Sequence, residues 1–212
     1  MPTPVIRPLT VDLLPDWLHF FDHDAFADHP DWAGCYCYYF HADHSEKEWD
    51  ARTAEENREA SSALIRSGRL RGYLAYLDER PVGWCQAAPR SLIRNIAHDP
   101  RLSADEADDV GSVACFVVAR PFRGMGVARQ LLRAACDGFR TQGLRIAEGY
   151  PRVPAEGDAG NYHGPLALYL SLGFAPYAEL EGITVVKRLL SPDHAGLSER
   201  TCSCPGEGGG RT

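Results

Sequence analysis

The sequence predicts an α+β fold: a mixed but mostly antiparallel sheet flanked by helices. Three observations predict it. Residues 71–77 and 82–87, and again 175–180 and 182–190, are apolar, β-branched runs separated by short breaks, the pattern of antiparallel hairpins. Residues 113–150 read as strand, helix, strand, a unit that supplies one parallel pair. At 44% hydrophobic and 24% charged residues over 212 positions, the chain has the make-up of a globular domain with a sizeable core.

The elements follow in order. Residues 5–9 form a first strand. Residues 10–21 suit a helix with Thr10 as its cap and Leu13, Leu14, Trp17, Leu18 and Phe21 on one side. Residues 22–44 are rich in His, Asp and aromatics but lack clear periodicity. Two readings stand for them, a loop packed by its own aromatics and a wall or lid of a substrate pocket. Ser45-Glu46-Lys47-Glu48 has the form of a capping box, which predicts a helix running to about Ser67 and stopped by Gly68. After the first hairpin, residues 88–109 read as a polar linker with an acidic end. Strand 113–118, a glycine-bearing turn and helix 124–142 follow, with Gly143 closing the helix. Strand 145–150, loop 152–164, a short helix over 165–172 stopped by Gly173, and the final hairpin complete the order. The composition changes after Ser191, so residues 1–190 read as one domain and 191–212 as a flexible tail.

Bulk properties exclude several function classes. The formal net charge of −7 argues against a nucleic-acid binder, which shows a basic face. No apolar run approaches the length of a membrane span. The opening Met1-Pro2-Thr3-Pro4-Val5-Ile6-Arg7 lacks a signal-peptide pattern, so the cytoplasm is the expected compartment. Seven cysteines form an odd set, expected to be reduced and mostly buried there. Cys35-x-Cys37 and Cys202-x-Cys204 are spaced more tightly than structural zinc pairs. With His41 and His44 near the first pair, a metal-binding protein stays open as an alternative.

The chemistry concentrates in residues 113–136. An apolar strand ends at Pro121, Arg123-Gly124-Met125-Gly126-Val127-Ala128 follows, and Gln130-Leu131-Leu132 opens a helix. A strand that stops at a glycine turn and feeds a helix presents unpaired amides and the positive end of the helix dipole, which together suit a phosphate. Neither a P-loop nor a dinucleotide fingerprint is present, because the Gly-Lys-Ser/Thr and the third glycine are missing. The six residues do fit Arg/Gln-x-x-Gly-x-Gly/Ala. Further on, Leu168-Tyr169-Leu170-Ser171-Leu172-Gly173-Phe174 fits Leu-Tyr-x-x-x-Gly-Phe.

On these two motifs the chain resembles the GNAT superfamily of N-acetyltransferases over about residues 5–190, most strongly over 113–175. The Glu148-Gly149-Tyr150-Pro151 strand and Tyr162-x-Gly164 are similar to a bacterial subgroup of it. The resemblance implies a sheet splayed at the acetyl-CoA strand, with acetyl-CoA as co-substrate and no metal. It implies that backbone amides of Gly124, Met125, Gly126, Val127, Ala128 and Arg129, together with Arg123, wrap the pyrophosphate. Phe116, Val117 and Val118 would pair with the pantetheine arm as an added strand. Asn161 corresponds to a family asparagine on that arm, although it lies eight residues from Tyr169 rather than the usual seven. A homodimer is common in the family, and the acceptor is expected to be a small-molecule or peptide amine.

For the reaction, the strand over 113–118 carries no carboxylate, where many family members keep a Glu. Glu148 on the neighbouring strand is the leading candidate for base or amine anchor, with structural pairing to an arginine as the alternative; Asp109, acting through water, is a weaker candidate. Tyr169 matches the family tyrosine near the cofactor sulfur and is the leading acid, since an ordinary phenol stays protonated at neutral pH. Cys115 could serve as a nucleophile only in a ping-pong route, and His163 reads as a solvated loop residue or a substrate contact. The expected activity is acetyl transfer to a primary amine by direct attack. The missing strand carboxylate keeps a non-catalytic acyl-CoA-binding sensor on the same fold open beside it.

Overall fold

The structure, a computed structural model, describes residues 3–42, 46–102, 109–153 and 157–190. The proposed tail over 191–212, Ser45 and His44 lie outside the described residues. The elements run β1 (Val5–Pro8), α1 (Leu14–His19), α2 (Glu46–Asp50), α3 (Ala54–Arg66), β2 (Gly72–Leu77), β3 (Arg80–Pro89), α4 (Arg94–Ala97), β4 (Val110–Val118), α5 (Val127–Thr141), β5 (Ile146–Gly149), α6 (Gly157–Gly160), α7 (Leu166–Leu170), β6 (Ala175–Leu180) and β7 (Ile183–Leu189). The seven strands form a single sheet in the order β1-β2-β3-β4-β5-β7-β6. Only β4 and β5 are parallel, as the β–α–β reading requires. No helix among the described residues is long and apolar enough to cross a membrane.

Two layers cover the sheet. On one face α5 buries Val127, Leu131, Leu132, Ala135, Cys136 and Phe139, a stripe at helical period. It ends where Gly143 turns left-handed (φ 80°) and Leu144 and Gly143 donate to the carbonyls of Phe139 and Arg140, a Schellman closure. The other face packs Trp17, Phe20, Phe21, Trp84 and Ile93 against α1 and α3. The first hairpin closes through Asp78 and Glu79, both with positive φ (49° and 58°), which matches the twist of the strands they join.

Several boundaries differ from expectation, each for a local reason. The first helix starts at Leu14, after a 3-10 turn at Val11–Leu13, and the Thr10 side chain makes no capping bond. It then widens into a π turn over Phe20–Asp24, with the Ala25 amide on the Phe20 carbonyl at 2.9 Å. The helix expected over 45–67 is broken before Thr53. There a capping box forms: Glu56 N–H donates to Thr53 Oγ1 at 3.2 Å, and Thr53 N–H donates to Glu56 Oε2 at 2.8 Å. The stretch read as a polar linker is largely structure. β3 runs to Pro89, and Arg90, Ile93 and Ile96 are buried.

Candidate active site

β4 and β5 pair only from Val110 to Val113 on β4 and Ile146 to Gly149 on β5. Beyond that β4 continues alone on this side to Val118 while still paired to β3. A bulge marks the divergence. Gln86 faces Cys115 and Ala87 faces Val113, so Ala114 is the extra residue that bends β4 away. Because the Ala119 amide binds Val82 on β3, backbone groups of the even residues 114, 116 and 118 point the other way, into the gap. Three of those groups are held by the protein. Phe116 N–H donates to the Tyr162 carbonyl at 2.6 Å, the Ala114 carbonyl meets His163 Nδ1 at 2.7 Å, and the Val118 carbonyl accepts from Arg123 Nε at 3.0 Å.

The gap opens into a cavity of about 970 Å3. Phe116, Val117, Val118, Arg123, Gly124, Gly126, Val127, Ala128, Arg129 and Asn161 all line it. Of the proposed cofactor residues, Met125 alone is outside the lining and packs on the α5-side core. Gly124 and Gly126 take φ of 75° and 80°, and a Cβ on either would meet nothing within 4 Å. Gly126 is the cap of α5 and supplies no side-chain bond. The first-turn amides, which a helix cannot pair internally, belong to residues Val127, Ala128 and Arg129 that line the cavity at the positive end of a 15-residue helix. The arginine side chains here act as braces. Arg123 grips Asp28 with two bonds of 2.6 and 3.0 Å, and Arg129 binds Ser171 Oγ at 2.8 Å.

In the described part of segment 22–44, residues 22–42, Tyr39 packs on Phe40, Phe26 and Tyr36 pack on Phe21, and Phe26, Trp32, Tyr39 and Phe40 line the cavity. Tyr36 and Cys37 sit side by side at positive φ (45° and 50°), a strained pair costing about 1 kcal/mol or more each. They are pinned by Tyr36 Oη on Asp22 (2.8 Å), Ser61 Oγ on the Tyr36 carbonyl (2.7 Å) and Trp84 Nε1 on Cys37 Sγ (3.2 Å). Burial pushes the Cys35 thiol up to about 12 and raises that of Cys37. His41 is engaged with the Gln86 amide at 2.6 Å. Among the described residues no group of three or more His, Cys, Asp or Glu could hold a metal.

The two residues singled out for chemistry lie behind the cavity wall rather than in its lining. Glu148 is fully buried. Tyr150 Oη donates to its Oε1 at 2.5 Å, Arg90 Nη1 stands 3.3 Å away, and Lys187 Nζ lies 3.5 Å from Oε2. Ser112 Oγ meets Tyr150 Oη at 2.7 Å and extends the chain. Burial and the adjacent carboxylate hold the Tyr150 phenol well above its ordinary range. Tyr169 is also fully buried and donates to the His163 carbonyl at 2.7 Å. Gly149 is required beneath it, since a Cβ there would stand 2.3 Å from the Tyr169 ring. Asp109 is tied to Arg145 at the far end of β4, away from the cavity. Cys115 lines the cavity.

His163 is buried rather than solvated. A carbonyl only accepts, so the bond to Ala114 places the proton on Nδ1 and the lone pair on Nε2. Desolvation lowers the His163 and His41 rings to about 4. A depressed histidine adds stability that is complete above its unfolded value of 6.5, is lost as pH falls toward 4, and changes no further below that. Holding each ring neutral over that window corresponds to about 3 kcal/mol. Urea midpoints measured from pH 7 to 4 are therefore expected to fall steeply, and less so in His163→Gln.

The sequence model of the acetyltransferase (GNAT) family matches residues 12–174. The chain belongs to that family. Solved GNAT proteins share the fold. The GNAT domain of S. lividans PAT superposes with a TM-score of 0.56 at 18% identity, over 89% of this chain and 92% of that one. PaiA N-acetyltransferase from Thermoplasma acidophilum, in complex with coenzyme A, gives 0.53 at 12% identity, over 89% and 99%. An acetyltransferase from Thermus thermophilus gives 0.53 at 18%, over 89% and 98%. No curated protein matches the chain. The splayed β4–β5 pair is thus part of a GNAT fold in this protein. Arg90, Tyr150 and Lys187, the partners of Glu148, and Ser112, which bonds Tyr150, were not apparent from the sequence; the one signal was a carboxylate inside an apolar strand.

Proposed function

We propose that this GNAT protein is an N-acetyltransferase that moves an acetyl group from acetyl-CoA to a primary amine by direct attack in a ternary complex. One observation carries the reading: a single cavity joins the glycine turn at the start of α5 to the side of β4 that has no strand neighbour beyond Val113. The cradle suits the pyrophosphate, with Gly124 to Arg129 supplying amides. The arm extends along Phe116–Val118, and Asn161 lines the same cavity. The thioester reaches the face opposite α5, where the aromatic wall holds the amine.

There the amine nitrogen attacks the thioester carbonyl. The C–N bond forms, the C–S bond breaks, the nitrogen loses a proton and the departing thiolate gains one. We assign the first proton to Glu148 by way of Tyr150, whose hydroxyl already donates to it. We assign the second to Tyr169, which burial keeps protonated. Tyr169→Phe should lower turnover about 100-fold by loss of the acid and stability by about 1–2 kcal/mol by orphaning the His163 carbonyl. Unchanged turnover would remove Tyr169 from the acid role. The same reading places the chain in the Glu-Gly-Tyr-Pro subgroup and in the cytoplasm; Cys35, Cys37, Cys85, Cys115 and Cys136 are free thiols. Calorimetric titration with acetyl-CoA followed by a primary-amine screen tests the whole. Saturable binding with turnover supports it, binding without turnover returns the sensor reading, and no binding removes both.

A further inference from the structure

Four arginines line the cavity. Arg123 grips Asp28, Arg129 binds Ser171, and Arg52 donates Nε to Asn57 Oδ1 at 2.6 Å while lying over the Tyr38 ring. The fourth, Arg152, lies against Tyr162, its guanidinium 5.4 Å from the ring centroid and interacting with the Tyr162 hydroxyl, and like Arg52 and Arg129 it makes no ion pair among the described residues. Tyr162 in turn packs on Trp32 at 5.7 Å. Trp32 and Tyr39 are each 39% exposed although large and apolar, and both face the cavity. Tyr162 packs against the core on the sheet face opposite α5.

We propose that the amine acceptor is an aromatic α-amino acid, its carboxylate held by Arg152 and its ring laid along Tyr162 and Trp32. The inference rests on the transferase reading for the fate of the amine. A guanidinium offers a planar fork that matches a carboxylate with two parallel bonds, and one without an ion-pair partner among the described residues, at the edge of an aromatic wall, is suited to receive it. The partly exposed Trp32 ring, beside Tyr162, gives the side chain an apolar bed. Asp31 and Asp50 also line the cavity, without ion pairs among the described residues. They favour a zwitterion, whose ammonium they attract, over an acceptor with a second carboxylate.

The test compares L-phenylalanine and L-tryptophan with phenethylamine and tryptamine, the same bodies without the carboxylate. Wild type is expected to favour the amino acids at least about tenfold in kcat/KM, as loss of one charge-assisted pair implies. Arg152→Gln, an exposed site, should abolish that preference by raising the amino-acid KM while the acetyl-CoA KM stays unchanged. Equal use of phenethylamine and L-phenylalanine by wild type overturns the proposal, as does an Arg152→Gln effect confined to the acetyl-CoA KM. If neither class is turned over, saturation-transfer NMR on L-phenylalanine decides. Binding to wild type that Arg152→Gln loses supports the acceptor site while the transferase reading falls, and no binding to wild type overturns the site.

Discussion

Gly126→Glu is expected to weaken acetyl-CoA binding at least about 100-fold while the protein stays folded. Gly126 caps α5 at φ 80°, so any side chain there costs about 1–2 kcal/mol of left-handed strain. Space is not an obstacle, because a Cβ would meet nothing within 4 Å. The glutamate would lean over the first-turn amides, where a carboxylate gains about 0.3–1 kcal/mol from the helix dipole and partly offsets the strain. The same carboxylate fills the seat proposed for the pyrophosphate and repels it. Gly126→Ala separates the two effects. It keeps the strain and adds no charge, so binding should stay within about tenfold of wild type. Calorimetry reads the affinities and a circular-dichroism melt the fold. If Gly126→Glu binds acetyl-CoA as wild type does, the glycine turn is not the phosphate seat.

What was legible in the sequence followed from period and from backbone chemistry. The hairpins, the α5 stripe and the glycine turn are local patterns, and each forms where the residues place it. The proposed cofactor side of the cavity inherits that legibility, because it is built mainly from the backbone of one contiguous stretch, Phe116 to Arg129. The Glu148 cluster is assembled from distant segments. Arg90 sits in residues that look like a polar linker, and nothing in its neighbourhood signals that it stands 3.3 Å from Glu148, 58 residues away. Burial of an arginine is decided by its partner, and the partner is a matter of sheet register. The break before Thr53 has another cause. A capping box within the expected helix restarts it, with Glu56 reaching back to the Thr53 amide. His163 is buried by Tyr162, Phe40 and Tyr150, a tertiary circumstance that a loop sequence rich in Gly and Pro conceals.

Glu148 carries the second large effect. Glu148→Gln keeps the shape of the side chain but takes from Arg90 and Lys187 the carboxylate they share. Leaving one partner of a buried ion pair uncompensated costs about 3–5 kcal/mol, a large share of the roughly 5–15 kcal/mol that holds a domain together. Turnover should fall as well, most at low pH, where little amine is free of its proton, while acetyl-CoA affinity persists in the folded fraction. A fall in rate alone could reflect damaged packing, so a second substitution is needed. Arg90→Leu combined with Glu148→Gln removes one charge of each sign and restores the original net charge of the cluster, with Lys187 near the surface as its remaining cation. Denaturant midpoints should then recover by more than half of the loss. A proton acceptor is not restored by that repair, so turnover in the double variant should stay as low as in Glu148→Gln. Turnover that returns together with stability would mean that Glu148 serves the site by holding Arg90, Lys187 and Tyr150 in place, and that the amine gives its proton elsewhere.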